Sequence, residues 1–117
     1  MSISFPLDVL ALTKALVAMD TRNPSLVPGA PGESECAAFL AGVLEEWGCA
    51  TVLEEVAPGR HNVIARIGPP GEHPLVFNGH LDVVGIEGMT HSPFIPHEHE
   101  GSVYGRGATD MKGGIAA

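Results

Sequence analysis

A chain of 117 residues has room for one domain with a modest core, burying roughly 65% of the surface its unfolded form exposes, and excludes several independent domains. Six Lys+Arg against 14 Asp+Glu give a net charge of −8, which argues against nucleic acid or an anionic membrane as a partner for a basic patch and in favour of collecting cations. Hydrophobic residues at 44% with 5% aromatics describe an α/β protein rather than a disordered chain, and 15 Gly with 10 Pro call for many tight turns.

From the N-terminus, Met1 to Asp20 has no basic n-region, and Asp8 and Lys14 interrupt its apolar residues, so no signal peptide is read. No apolar run reaches membrane-spanning length. Leu7, Leu10, Ala11, Ala15, Leu16 and Met19 recur at helical spacing and predict a helix from about Pro6 to Asp20, with Pro6 in its first turn. Asn23-Pro24 ends it, and Leu26 to Gly32, with two prolines and two glycines, reads as a loop. A second helix follows. Its apolar stripe is Cys36, Phe39, Leu40, Val43, Leu44 and Trp47, with Glu33 and Glu35 favourable in the first turn and Gly48 as the stop.

After Gly48 the period becomes extended, over Ala50 to Val56 and Asn62 to Ile67, with Val63, Ala65 and Ile67 on one face and Pro58-Gly59 as the turn. Leu75-Val76-Phe77 is apolar without alternation, which predicts a strand covered on both faces, set off by Pro69-Pro70-Gly71. An irregular stretch from Gly85 to Gly101, a short strand at Ser102 to Tyr104 and a helix starting near Gly113 complete the chain. Helices interleaved with strands argue for a layered α/β fold, whose ligands bind beyond the carboxyl ends of the strands. Cys36 and Cys49 fall in different elements without CxxC spacing and read as buried free thiols, which fits a reducing cytoplasm.

Two segments carry the chemistry. Side chains two apart on an extended segment point the same way, so in Gly79-His80-Leu81-Asp82 the imidazole and the carboxylate face one site while Leu81 faces the core. A metal-ligating histidine commonly gives its remaining N–H to such a carboxylate. A surface histidine beside an aspartate explains His-x-Asp as well. Asp110 follows a Gly105-Arg106-Gly107 turn and precedes Lys112-Gly113-Gly114. Its two oxygens suit a pair of divalent ions about 3.5–4 Å apart, and they equally suit an N-cap for the last helix.

Taken together, Leu75-Val76-Phe77-Asn78-Gly79-His80-Leu81-Asp82-Val83-Val84, Pro93-Phe94 with Gly101-Ser102-Val103-Tyr104-Gly105-Arg106-Gly107, and Asp110-Met111-Lys112-Gly113-Gly114 resemble the signatures of the M20 family of metallopeptidases and amidohydrolases, in order and separation. The resemblance implies that residues 1–117 are the N-terminal part of a three-layer zinc-peptidase-like α/β domain with a mixed, mostly parallel sheet. It implies His80 and Asp110 as metal ligands, Asp110 bridging two ions. It implies Asp82 as the catalytic residue that orients or polarises His80, and a cis bond between Asp110 and Met111. The cofactor implied is two Zn2+ per complete site, with Co2+ as a substitute. The implied reaction is deacylation of a small N-acyl amino acid, as in deacetylases and desuccinylases, with dipeptidase or carboxypeptidase action as the alternative and a homodimer of the full-length protein in view.

Gly85 stands where the family usually has proline, and Met89 near the place of a common tryptophan, which bears on substrate preference. Family members continue to an adjacent Glu-Glu pair and a distant histidine. Glu45-Glu46 and Glu54-Glu55 precede His80 and read as solvated, so the isolated chain is expected to be an inactive fragment or a weak metal binder. His97-Glu98-His99-Glu100 is not His-Glu-x-x-His and reads as a solvated loop. Gly105-x-Gly107 lacks the third glycine of a dinucleotide fingerprint, and the segment from Gly107 to Lys112 lacks the ending of a phosphate loop. His61, His73 and His91 read as surface residues.

Overall fold

Asp8 starts the first helix, two residues later than Pro6. Its carboxylate accepts from the backbone N–H groups of Leu10 (2.9 Å) and Ala11 (3.0 Å), and helix α1 spans Val9–Val17 in a computed structural model that describes residues 5–117. The first four residues of the segment read as lacking a leader lie outside the described ones. A capping carboxylate needs extended backbone at its own position, which Asp8 has (φ −138°, ψ 112°), so the helix cannot begin before it. The helix ends at Val17, short of the expected Asp20, which instead accepts from the backbone N–H of Arg22 (3.1 Å) and from its guanidinium (2.7 Å).

Helix α2, Ser34–Glu46, buries Cys36, Ala37, Leu40, Ala41 and Val43, and Gly48 follows it with φ +93°, the left-handed stop expected. Leu12, Leu16 and Cys36 form the centre of the core. Phe5, Met19, Phe39, Trp47, Leu81, Ile115 and Ala116 pack around them. Phe5 meets Phe39 edge to face at 5.7 Å, and the Trp47 indole N–H donates to the Phe5 carbonyl at 3.2 Å, so the chain before α1 is tied to the end of α2. Both cysteines are free. Cys36 is buried, which pushes its thiol up, while Cys49 is only half-buried.

Strands β1 (Ala50–Ala57) and β2 (Arg60–Arg66) form an antiparallel hairpin around Pro58-Gly59, registered from Ala50 opposite Arg66 to Ala57 opposite Arg60 with an irregularity after Glu55. Gly59 takes φ +73° in the turn. A second hairpin pairs β3 (His97–His99) with β4 (Ser102–Tyr104), so the stretch expected to be irregular holds a short strand. Helix α3 is one turn, Gly113–Ala116.

The described residues are thus α/β, but their sheets are two antiparallel pairs, and the mostly parallel sheet is not among them. The expected strand at Leu75-Val76-Phe77 does not form, and these side chains are 82%, 74% and 88% exposed. An unalternating apolar run becomes a strand only when layers cover both faces, and among the described residues none covers this one. The parallel contact that does form is a single bridge between Arg22 and Val83.

Candidate functional site

The turn after α1 and the segment beyond residue 79 lie side by side. The Thr21 hydroxyl donates to the Leu81 carbonyl (2.7 Å), the Val83 N–H to the Thr21 carbonyl (3.0 Å), and the Asn23 N–H to the Val83 carbonyl (2.9 Å). Thr21 and Val83 are buried, and Leu81 turns toward the core. With Leu81 inward, His80 and Asp82 stand on the opposite side, as period-two alternation requires.

His80 uses both ring nitrogens. Nδ1 lies 3.0 Å from the backbone carbonyl and 3.2 Å from Oδ1 of Asp82, and Nε2 lies 3.0 Å from Oδ1 of Asp110. Partial burial pulls the imidazole down, but the Asp82 carbonyl, then the charges of Asp82 and Asp110, outweigh it and hold His80 above its ordinary value. Its backbone N–H points at Sδ of Met111 (3.4 Å). Gly79 leaves room for this approach, because a Cβ there would stand 2.5 Å from Cδ1 of Ile115 and 3.1 Å from Cε of Met111.

Asp110 arrives on a wide turn, Ala108–Lys112, that is interrupted at Asp110 (φ −122°, ψ 91°) and Met111 (φ −138°, ψ 31°). The Asp110–Met111 bond is cis. Asp110 does not cap α3, whose N-terminus has no side-chain cap; its carboxylate is largely exposed and turned to His80. What anchors the turn is Lys112. It is fully buried, and Nζ donates to the carbonyls of Leu16 (2.7 Å) and Met19 (2.9 Å) at the end of α1. The Leu16 carbonyl also accepts from the Met19 N–H at 3.2 Å, and a cation is favourable beside the carbonyls at a helix C-terminus. Burial pulls the ammonium below its ordinary value, with Cys36 and Asp20 opposing.

His80, Asp82 and Asp110, singled out from the sequence, are therefore brought together. Asn23, which touches Asp82, and the braces Thr21 and Lys112, which touch none of the three, are not legible there. Asn-Pro does signal a turn, and the Asn23 side chain makes one by accepting from the Ser25 N–H at 2.8 Å, but its partner 59 positions away could not be read. Imidazole nitrogen and carboxylate oxygen are the donor types zinc takes. They fit it in kind, and at two they fall short of the three protein ligands of a catalytic zinc; among the described residues no group of three or more His, Cys, Asp or Glu side chains could hold a metal ion.

The remaining histidines differ from one another. His61 is not a free surface residue, since Nδ1 lies 2.6 Å from the Ser34 hydroxyl and Nε2 3.1 Å from Oε2 of Glu55. His91 and His97 pack on the Tyr104 ring at 5.6 and 5.2 Å, while the His97–His99 strand is exposed. An open cavity of about 280 Å³ is lined by Glu33, Val56, Ala57, Arg60 and Asn62 and contains none of the site residues. No helix among the described residues is long and apolar enough to cross a membrane.

Residues 76–117 match the family model described as Peptidase family M20/M25/M40. The chain is similar to the succinyl-diaminopimelate desuccinylase of Paracoccus denitrificans (strain Pd 1222), 46% identical over 74% of the chain and 23% of the relative. It is similar to the enzyme of that name from Methylorubrum extorquens (strain PA1), 43% identical over 92% of the chain and 28% of the relative. It is also similar to the N-formyl-4-amino-5-aminomethyl-2-methylpyrimidine deformylase of Bacillus subtilis (strain 168), 34% identical over 93% of the chain and 26% of the relative. The chain spans about a quarter of the length of the curated relatives it matches.

Proposed function

Because this chain belongs to peptidase family M20/M25/M40, we propose that it carries one wall of the active site of a metal-dependent amidohydrolase, which removes the acyl group from a small N-acyl amino acid. The observation that carries this reading is the convergence of His80 Nε2 on Asp110 Oδ1 at 3.0 Å, with His80 Nδ1 already occupied by Asp82. Removal of a succinyl and of a formyl group, as the relatives' names have it, supports deacylation over dipeptide cleavage.

In this reading His80 and Asp110 would hold the metal, while Asp82 holds the Nδ1–H of His80 and raises the basicity of the ring. The bound metal supplies Lewis-acid polarisation of the scissile carbonyl and a water whose pKa falls toward about 7. A carboxylate outside these residues moves the proton. Residues 1–117 form the N-terminal part of the catalytic domain, a three-layer fold whose mixed, mostly parallel sheet takes up Leu75-Val76-Phe77. Two free thiols suit a reducing cytoplasm.

A longer protein containing this chain is expected to hydrolyse N-succinyl or N-acetyl amino acids, to lose that activity to a chelator and regain it with zinc, and to lose it on Asp110→Ala. Hydrolysis indifferent to chelator overturns the reading. With two ligands, the 117-residue chain alone is expected to bind zinc weakly and turn nothing over; sustained hydrolysis by it, abolished by chelator and by Asp110→Ala, refutes that part.

A further inference from the structure

Asn23 is placed to decide which nitrogen of His80 carries the proton. Its side-chain orientation is unambiguous: the Ser25 N–H can only donate, so the atom it meets at 2.8 Å is Oδ1, and the amide nitrogen faces the other way. There Nδ2 donates to Oδ2 of Asp82 at 2.9 Å. The backbone of Asn23 is held as firmly. Its N–H donates to the Val83 carbonyl, and its own carbonyl accepts from Leu26 (3.0 Å) and Val27 (2.9 Å). With Oδ2 engaged, the Asp82 carboxylate presents Oδ1 to His80 Nδ1 at 3.2 Å.

We propose that Asn23 is a positioning residue for His80, acting through the Asp82 carboxylate. A neutral imidazole has one proton and here has acceptors at both nitrogens: the Asp82 backbone carbonyl (3.0 Å) and carboxylate (3.2 Å) at Nδ1, and Asp110 at Nε2 (3.0 Å), so Asn23 acts on the carboxylate's share of the pull at Nδ1. A proton on Nε2 leaves no lone pair for a metal; a proton on Nδ1 leaves Nε2 free. By aiming Asp82, Asn23 tilts the competition to the second form. The consequence for metal binding rests on the reading of His80 as a ligand, whereas the tautomer effect stands without it.

The test is the nitrogen NMR spectrum of the His80 ring in the metal-free 117-residue chain, in mildly alkaline buffer where the neutral ring predominates, assigned by its loss in His80→Gln. Asn23→Asp keeps the acceptor for Ser25, removes the donor to Asp82 and sets a second carboxylate against it. It is expected to shift the ring toward the Nε2-protonated form. The exchanged pair Asn23→Asp with Asp82→Asn restores one donor and one acceptor in reverse but faces His80 with a neutral amide oxygen, a weaker acceptor than a carboxylate, and is expected to move the spectrum only part of the way back toward wild type. Thr21→Val, which loosens the neighbouring brace without touching Asp82, is expected to leave it unchanged.

An Asn23→Asp spectrum identical to wild type, or a folded exchanged pair no closer to wild type than Asn23→Asp, overturns the proposal. If Asn23→Asp does not fold, the exchanged pair against Thr21→Val decides. Zinc added to the wild-type chain separates the two readings. No perturbation of Nε2 up to millimolar zinc, a range that covers the weak binding expected of two ligands, with Asn23→Asp still shifting the tautomer, removes the metal reading and leaves this one. Perturbation by zinc, with no response to Asn23→Asp, does the reverse.

Discussion

Leu12, Leu16 and Val17 are as apolar as Leu75, Val76 and Phe77, yet the first three are buried in full and the second three lie in the open. The difference lies in what each needs. A helix satisfies its own backbone and presents one stripe, which α2 and α3 cover at once. A central strand needs partners on two edges and layers on two faces, more than the described residues bring to positions 75–77. The site sits between these regimes: His80 comes three residues after the open run, while Thr21, Val83 and Lys112 tie its surroundings to the closed core.

That contrast is open to breakage at several points. Leu16→Ala, at the centre of the core, is expected to lower the unfolding free energy by about 3 kcal/mol in urea titration; a loss near zero means that the core is not where it is drawn. Lys112→Met keeps the buried stem but removes the donor to both carbonyls, leaving Leu16 with only the Met19 N–H and Met19 without the ammonium. It is expected to cost about 2 kcal/mol, part of the lost bonding being offset by the desolvation the ammonium no longer bears.

The site itself titrates. The folded pKa of His80 lies above its ordinary 6.5, so its contribution to stability is fully present below that value and is lost as pH rises through the folded one. Unfolding midpoints followed across that window are expected to fall toward alkaline pH, and His80→Gln to flatten the fall. The smallest effect belongs to the open run: Phe77→Ser is expected to leave the stability of this chain within about 0.5 kcal/mol, and a larger loss shows that the run is covered.

Periodicity made both main helices and the first hairpin legible, because amphipathic spacing and glycine stops act within a few residues. The helix start moved from Pro6 to Asp8 because a local carboxylate cap outweighed the apolar pattern. His61 was passed over because its partners, Ser34 and Glu55, share no local pattern with it.

Residue type and spacing alone put His80 and Asp82 on one side of an extended segment, since side-chain alternation is a local rule, and left Asp110 open between ion ligand and helix cap. Only the tertiary structure decided that Asp110 faces His80 and does not cap a helix, that Lys112 is buried on the end of α1, and that Asn23 holds Asp82. Each of those contacts joins groups 30 or more positions apart. Directional hydrogen bonds at such separations depend on how the elements pack, which no pattern in the chain encodes.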